Sequence, residues 1–266
     1  MENLFIDNSI IANYFILGIC LLVIASFVAG YIDSIAGGAG LILIPAFLIV
    51  GLPPQLALGQ EKLVSTIGTI AAIKNFMQSK SIVWKIIPIG IVSALLGAYI
   101  GAEVILMLPT HVINYIIFAF LPLGLATTLF KGKLLKQENQ EQEIKNSALS
   151  VFITCLIVGF YDGFFGPGTG SIFIIALFLI NKLSLLRASA TSKIFNFSSN
   201  IGAFVSFAIA GKMAFLIGIP MIIANLAGNH VGSKHAIHSN GEIIKKVLVI
   251  TVGLLMCTLG YKALFA

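Results

Sequence analysis

Two lysines, Lys62 and Lys193, stand in sequence that is otherwise apolar, and each follows the same set of companions. Gly30, Asp33 and the cluster Gly37-Gly38-Ala39-Gly40 precede Lys62. Gly159, Asp162 and the cluster Gly166-Pro167-Gly168-Thr169-Gly170 precede Lys193. Asp33 pairs with Asp162, Gly37 with Gly166 and Lys62 with Lys193, with two extra residues in the second copy. The match resumes at Gly97-Ala-Tyr-Ile-Gly101 and Gly228-Asn-His-Val-Gly232. Self-similarity over so long a stretch marks a duplication, and it dictates the architecture.

Each residue type brings its own chemistry and a plainer alternative. A glycine cluster opening a helix offers unpaired N–H groups and the positive end of the helix to an anion, and lets backbone approach a ligand closely. Gly37, Gly38, Gly40, Gly166, Gly168, Thr169 and Gly170 are candidates on that ground, although glycines also serve close helix packing in membranes. A lysine within a membrane segment is costly unless it faces a cavity or a partner. Lys62 with Ser65, and Lys193 with Thr191, Ser192 and Asn196, would place two cations and several hydrogen-bonding groups around one oxyanion. The alternative is that both lysines reach the headgroups along their stems. Asn200 and other polar residues of the same stretch suit an oxyanion or hold helices together about equally well. Asp33 and Asp162 serve either as proton carriers or structurally, capping the next turn or pairing with a lysine. Glu61 has no acidic counterpart and is expected to pair locally. His230 reads as a packed residue, and the histidines are placed mostly in loops. Cys20, Cys155 and Cys257 sit singly in apolar runs, as packing residues do. Neither a nucleophile with its base nor metal-ligand spacing occurs, so the expectation is no enzyme, no metal and no cofactor.

The elements that must hold these residues follow from composition. The 266 residues are 58% hydrophobic and only 10% charged, with mean hydropathy +1.04. Soluble domains carry about a quarter charged residues. The chain is therefore an all-α polytopic membrane protein. Apolar runs are expected at 10–32, 39–52, 60–77, 84–107 and 111–130, then at 147–165, 169–181, 189–210, 213–232 and 244–265. The run 10–32 lacks a basic lead and a cleavage site, and reads as a retained helix. A charged linker, 131–146, separates a first repeat (1–130) from a second (147–266). Five crossings per repeat invert the second copy relative to the first. Of the sixteen basic residues, once Lys62 and Lys193 are set aside as intramembrane, only Lys212 and Lys262 fall on the side of the N-terminus. That places the N-terminus outside. The net charge of +6 reflects this bias and not a nucleic-acid partner. The second run of each repeat is too short to span. The fourteen residues of 39–52 reach about 21 Å, which predicts a broken or re-entrant helix after each glycine loop. Short, glycine-interrupted segments at matching places point to a transporter's binding site.

The blocks GYIDSIAGGAGLILIPAFLIVGLPPQLALGQEKLVSTIGT and GFYDGFFGPGTGSIFIIALFLINKLSLLRASATSKIFNFSSNIGA resemble the TauE/SafE, or sulfite exporter, family of membrane permeases over nearly the whole chain. The resemblance implies a bacterial inner-membrane secondary carrier of small anions such as sulfite, sulfoacetate or other sulfonates, run on the proton gradient. The family's glycine motifs fall on Gly37, Gly38 and Gly40 and on Gly166, Gly168 and Gly170. Its Thr/Ser-Lys motif falls on Thr191, Ser192 and Lys193. Glu61 departs from the family's common asparagine before the first lysine, which alters the charge of any site there. The leading expectation is a small-anion transporter working by alternating access at the bilayer midplane between the repeats, with the lipid bilayer and protons as further partners and the oligomeric state open. The alternative is an anion or proton-leak channel.

Overall fold

The computed structural model describes residues 5, 6, 9–113, 115–117 and 148–239. The linker 131–146, most of run 111–130, run 244–265 and Cys257 lie outside them. Regular structure among the described residues is helical: α1 (Ile10–Asn13), α2 (Phe15–Ala36), α3 (Gly40–Val50), α4 (Pro54–Gln78), a 3-10 turn (Trp84–Ile86) running into α5 (Ile87–Leu106), then α6 (Ala148–Phe164), α7 (Thr169–Leu179), α8 (Leu185–Ile209) and α9 (Phe215–His238).

The short second segments are short in the structure. Helices α3 and α7 have 11 residues each, about 16 Å of rise against roughly 30 Å of hydrocarbon. The following helices are longer than hydropathy suggests. Both α4 and α8 run to 25 residues, starting at Pro54 and Leu185 and not at 60 and 189. Pro54 suits the first turn, where its missing N–H costs nothing, and the Ser184 hydroxyl accepts from Arg187 N in an N-cap. Likewise α9 extends past the expected end at 232 to His238, which puts His235 and His238 on a helix and not in a loop.

Three helices, Phe15–Ala36, Trp84–Leu106 and Phe215–His238, are long and apolar enough to cross a membrane. Their outer faces carry large exposed apolar side chains such as Ile16 and Leu216, 78% and 74% exposed, while Ser26, Ser93, Asn225 and Asn229 face inward at 0%. An apolar exterior around a polar interior inverts the pattern of a soluble protein and suits a lipid solvent.

Glycine decides how these helices meet. Along α5 and α6, a Cβ on Gly97 or Gly101 would strike the carbonyls of Leu156 or Phe160, and one on Gly159 or Gly163 those of Ala94 or Ala98. The α2/α9 pair is built the same way, with Gly30 against the Asn225 carbonyl, Gly228 against that of Phe27 and Gly232 against that of Tyr31. Backbones touch in both seams, as small residues four apart allow. Each seam joins the first long helix of one half to the last described long helix of the other.

Candidate functional site

The two glycine loops meet. Gly37 lies on the backbone of Gly170, Gly38 faces Gly168 at 3.7 Å and Gly40 faces Pro167 at 3.3 Å, measured from where a Cβ would stand. The N-terminal ends of α3 and α7 therefore abut in the middle of the molecule. Gly37, Gly38, Gly166 and Gly168 all have positive φ, 75°, 115°, 96° and 84°, which only glycine adopts without strain.

Lys62 and Lys193 occupy the same place in their helices, the ninth residue of α4 and of α8. Neither reaches a headgroup. They are 1% and 0% exposed, so the snorkelling alternative is set aside. Each is bound by the aspartate of the opposite half. Lys62 Nζ lies 2.8 Å from Asp162 Oδ1 and 3.3 Å from Asn200 Oδ1, while Lys193 Nζ lies 2.9 Å from Asp33 Oδ2 and also donates to the Asp33 carbonyl. Burying one ion without its partner would cost several kcal/mol, so this reciprocal exchange ties the halves together.

The aspartates differ in their second contacts. Asp33 Oδ1 accepts from Gly38 N at 3.0 Å and Ala39 N at 3.3 Å, so it holds the first glycine loop. Asp162 turns to its own side, where Ser199 Oγ donates to Oδ2, and α7 starts without a side-chain cap. The anion-seeking end of α3 is thus already filled by a carboxylate, and that of α7 is not. Replacing Ser199 by alanine removes one of the few donors to a buried carboxylate. A loss of about 1.5–3 kcal/mol is expected, read as a lower melting temperature in detergent.

A small closed space remains where the loops meet, lined by Asp33, Gly38, Ala39, Gly40, Glu61, Ser65, Asp162, Gly166, Thr169, Gly170 and Asn196. About 10 Å³ of it is open to water centres, room for about one water. Gly166 sits against the lysine, since a Cβ there would lie 2.6 Å from Lys62 Nζ. Most residues singled out in the sequence come together here. Gly37, Gly168, Lys62, Lys193 and Asn200 form the layer behind the lining. Thr191 and Ser192 do not join it: Thr191 Oγ1 accepts from Val83 N at 3.1 Å, and Ser192 Oγ bonds back to the Ser189 carbonyl at 2.8 Å. Their hydroxyls fix α8 in place.

Two participants were not singled out. Glu61 pairs locally, as expected, with Ser65 Oγ donating to Oε1 at 2.7 Å and Lys62 Nζ at 3.1 Å from Oε2, but it also lines the pocket. Tyr161, beside Asp162, donates to the Pro167 carbonyl at 2.7 Å and anchors the second loop. Its position next to the aspartate was the available signal. His230 is exposed on α9 and not packed in the core; its carbonyl and ring face Asn75 Nδ2, at 3.0 Å and 3.3 Å.

A multi-pass helical membrane protein with abutting half-length helices around buried charges has the build of a membrane transporter. Comparison with known proteins makes this specific. The family model described as sulfite exporter TauE/SafE matches residues 22–259, and the chain belongs to that family. It is 37% identical to a probable membrane transporter protein, ORF9, of Sinorhizobium sp over 86% of this chain and 87% of that one. A probable membrane transporter protein of Haemophilus influenzae is 34% identical, covering 88% and 92%, and the probable membrane transporter protein YfcA of Escherichia coli K12 is 31% identical, covering 88% and 86%. No solved structure matches the chain.

Proposed function

We propose that this protein is a secondary transporter of a small anion, sulfur-containing as in sulfite or a sulfonate, working by alternating access at the pocket between the glycine loops. The observation that carries the reading is the meeting of two half-length helices, N-terminus to N-terminus, with Lys62 and Lys193 buried beside them. Backbone amides at the open end of α7, the Ser65, Thr169 and Asn196 side chains and one ammonium group supply what a tetrahedral oxyanion needs. The family description names sulfite, which supports the sulfur chemistry.

The paired helices and crosswise ion pairs are what two inverted repeats, 1–130 and 147–266, would produce about an axis in the membrane plane. The bias of the basic residues supports a cytoplasmic linker 131–146 and an N-terminus outside, in a bacterial inner membrane. The glycine seams bear on the motion. Because α5 is locked to α6 and α2 to α9, across the two halves, the rigid bodies that rock are these mixed pairs and not the sequence halves. The channel reading is less well supported, since an open pore needs a continuous polar path and the loops close the centre to about one water.

Purified protein in proteoliposomes is expected to move sulfite, thiosulfate or sulfoacetate with saturable kinetics, and Lys62→Ala to lose at least tenfold of that flux. Flux that never saturates would favour the channel. No flux of any sulfur oxyanion or sulfonate would overturn the proposal.

A further inference from the structure

Among the described residues, the pocket is lined by three buried carboxylates, Asp33, Glu61 and Asp162, against two buried ammonium groups behind it, Lys62 and Lys193. Lys193 is committed to Asp33, and Lys62 donates to Asp162 and Asn200. The surplus falls on Glu61, which is 4% exposed. Its Oε2 lies 3.1 Å from Lys62 Nζ, an ammonium group already given to Asp162 at 2.8 Å, so Glu61 shares a cation and has none of its own. It borders the pocket beside Gly40, whose Cβ would stand 3.6 Å from the Glu61 carboxyl carbon. A net charge shut in at low dielectric calls for a counter-ion. The space is that of one water, and no group of three or more His, Cys, Asp or Glu among the described residues is arranged to hold a metal.

We propose that Glu61, and not Asp33 or Asp162, is where the site takes up one proton as its coupling ion. This inference rests on the anion-transporter reading. A proton from water adds to Oε2, converting the carboxylate to a carboxylic acid and leaving two carboxylates against two ammonium groups. Lys62 then has one counter-charge, Asp162, in place of two, and its field is open to an entering anion. Loss of the proton restores the second counter-charge and expels the anion. The charged groups facing Glu61 are Lys62 on α4 and Asp162 on α6, with Asp33 on α2 lining the same pocket and holding Lys193 of α8; α3 and α7 carry no ionisable side chain, nor does α9 between Phe215 and Asn229. Tyr161 on α6 is engaged with Pro167.

Infrared difference spectra of the purified full chain during acid titration test the site without any substrate. Wild type is expected to show the carbonyl band of one carboxylic acid per chain that is missing from Glu61→Gln, a nearly isosteric change that leaves the ion pairs balanced. Glu61→Ala should lose the same band. Identical titration of wild type and both variants would overturn the proposal. So would a melting temperature raised by sodium in wild type alone, which would assign the surplus charge to a metal ion. In proteoliposomes, sulfoacetate flux should carry a proton, read by a lumenal pH dye. Sulfoacetate flux without proton movement sinks the coupling while leaving the transporter; a band lost in Glu61→Gln with no flux of any anion keeps the proton site and sinks the transporter.

Discussion

Replacing Lys193 by alanine is expected to destabilise the protein by about 3–5 kcal/mol, because it strips the buried Asp33 of its one cationic partner among the described residues. The lysine is 0% exposed and its ammonium touches both the carboxylate and the carbonyl of Asp33, the residue that holds the first glycine loop through Gly38 N and Ala39 N. The lone carboxylate would have to take up a proton or pull water inward, and either change loosens the loop. Transport activity should fall with it, at least tenfold in proteoliposomes. Fold and function are separable here. Lys193→Met with Asp33→Asn removes both charges together and keeps the approximate volumes, so it is expected to recover most of the lost stability, since matched removal of a buried pair is often near neutral. Thermal melting in detergent measures the first effect and the double-variant rescue. If the double variant is as unstable as the single, the ion pair is not what holds the loop. If it is stable and transports as wild type does, Lys193 has no part in handling the anion.

The same pair shows what the sequence made legible. A charged residue in an apolar run, repeated at a matched distance from an aspartate and a glycine cluster, is readable because only burial with a partner or exposure to a cavity makes it affordable in a membrane. The short helices α3 and α7 were readable for a related reason: 39–52 and 169–181 run out of apolar residues before they run out of membrane. The choice of partner was not readable. Lys62 could have met Asp33 of its own half, and only the abutting of Gly37 on Gly170 brings Asp162 to it instead. The starts of α4 and α8 fall six and four residues ahead of 60 and 189, because Pro54 in the first turn and the Ser184 cap begin these helices, and hydropathy reads neither signal. Thr191 and Ser192 had the right chemistry for a ligand, but on a helix adjacent residues point about 100° apart, and these two hydroxyls turn to Val83 and Ser189. Glu61 reads in the sequence as a locally paired departure that alters the charge of a site; its place on the pocket wall is set by the meeting of the glycine loops beside it.

Gly163→Leu is expected to cost about 3 kcal/mol or more, shown by a collapsed yield of monodisperse protein and a melting transition lowered or lost. A Cβ at Gly163 would overlap the Ala98 carbonyl, with its carbon and Cα at 2.6 and 2.8 Å. These are backbone atoms, so no rotamer change relieves the clash, and α5 and α6 must part along their length. Parting them also opens Gly97, Gly101 and Gly159, whose contacts in the same seam are with carbonyls, and it carries Asp162, one residue away, out of reach of Lys62 Nζ at 2.8 Å. The matching build of the second seam adds a demand: Gly228→Leu, which drives a side chain into the Phe27 carbonyl between α2 and α9, should cost about as much. Gly211→Ala is the control. It has positive φ of 66° but nothing within 4 Å of a Cβ, so its cost should stay near the 1–2 kcal/mol of left-handed strain alone. A Gly163→Leu protein that melts like Gly211→Ala would show that α5 and α6 are not in backbone contact, and the assignment of the α5/α6 pair as one moving body would fall with that contact.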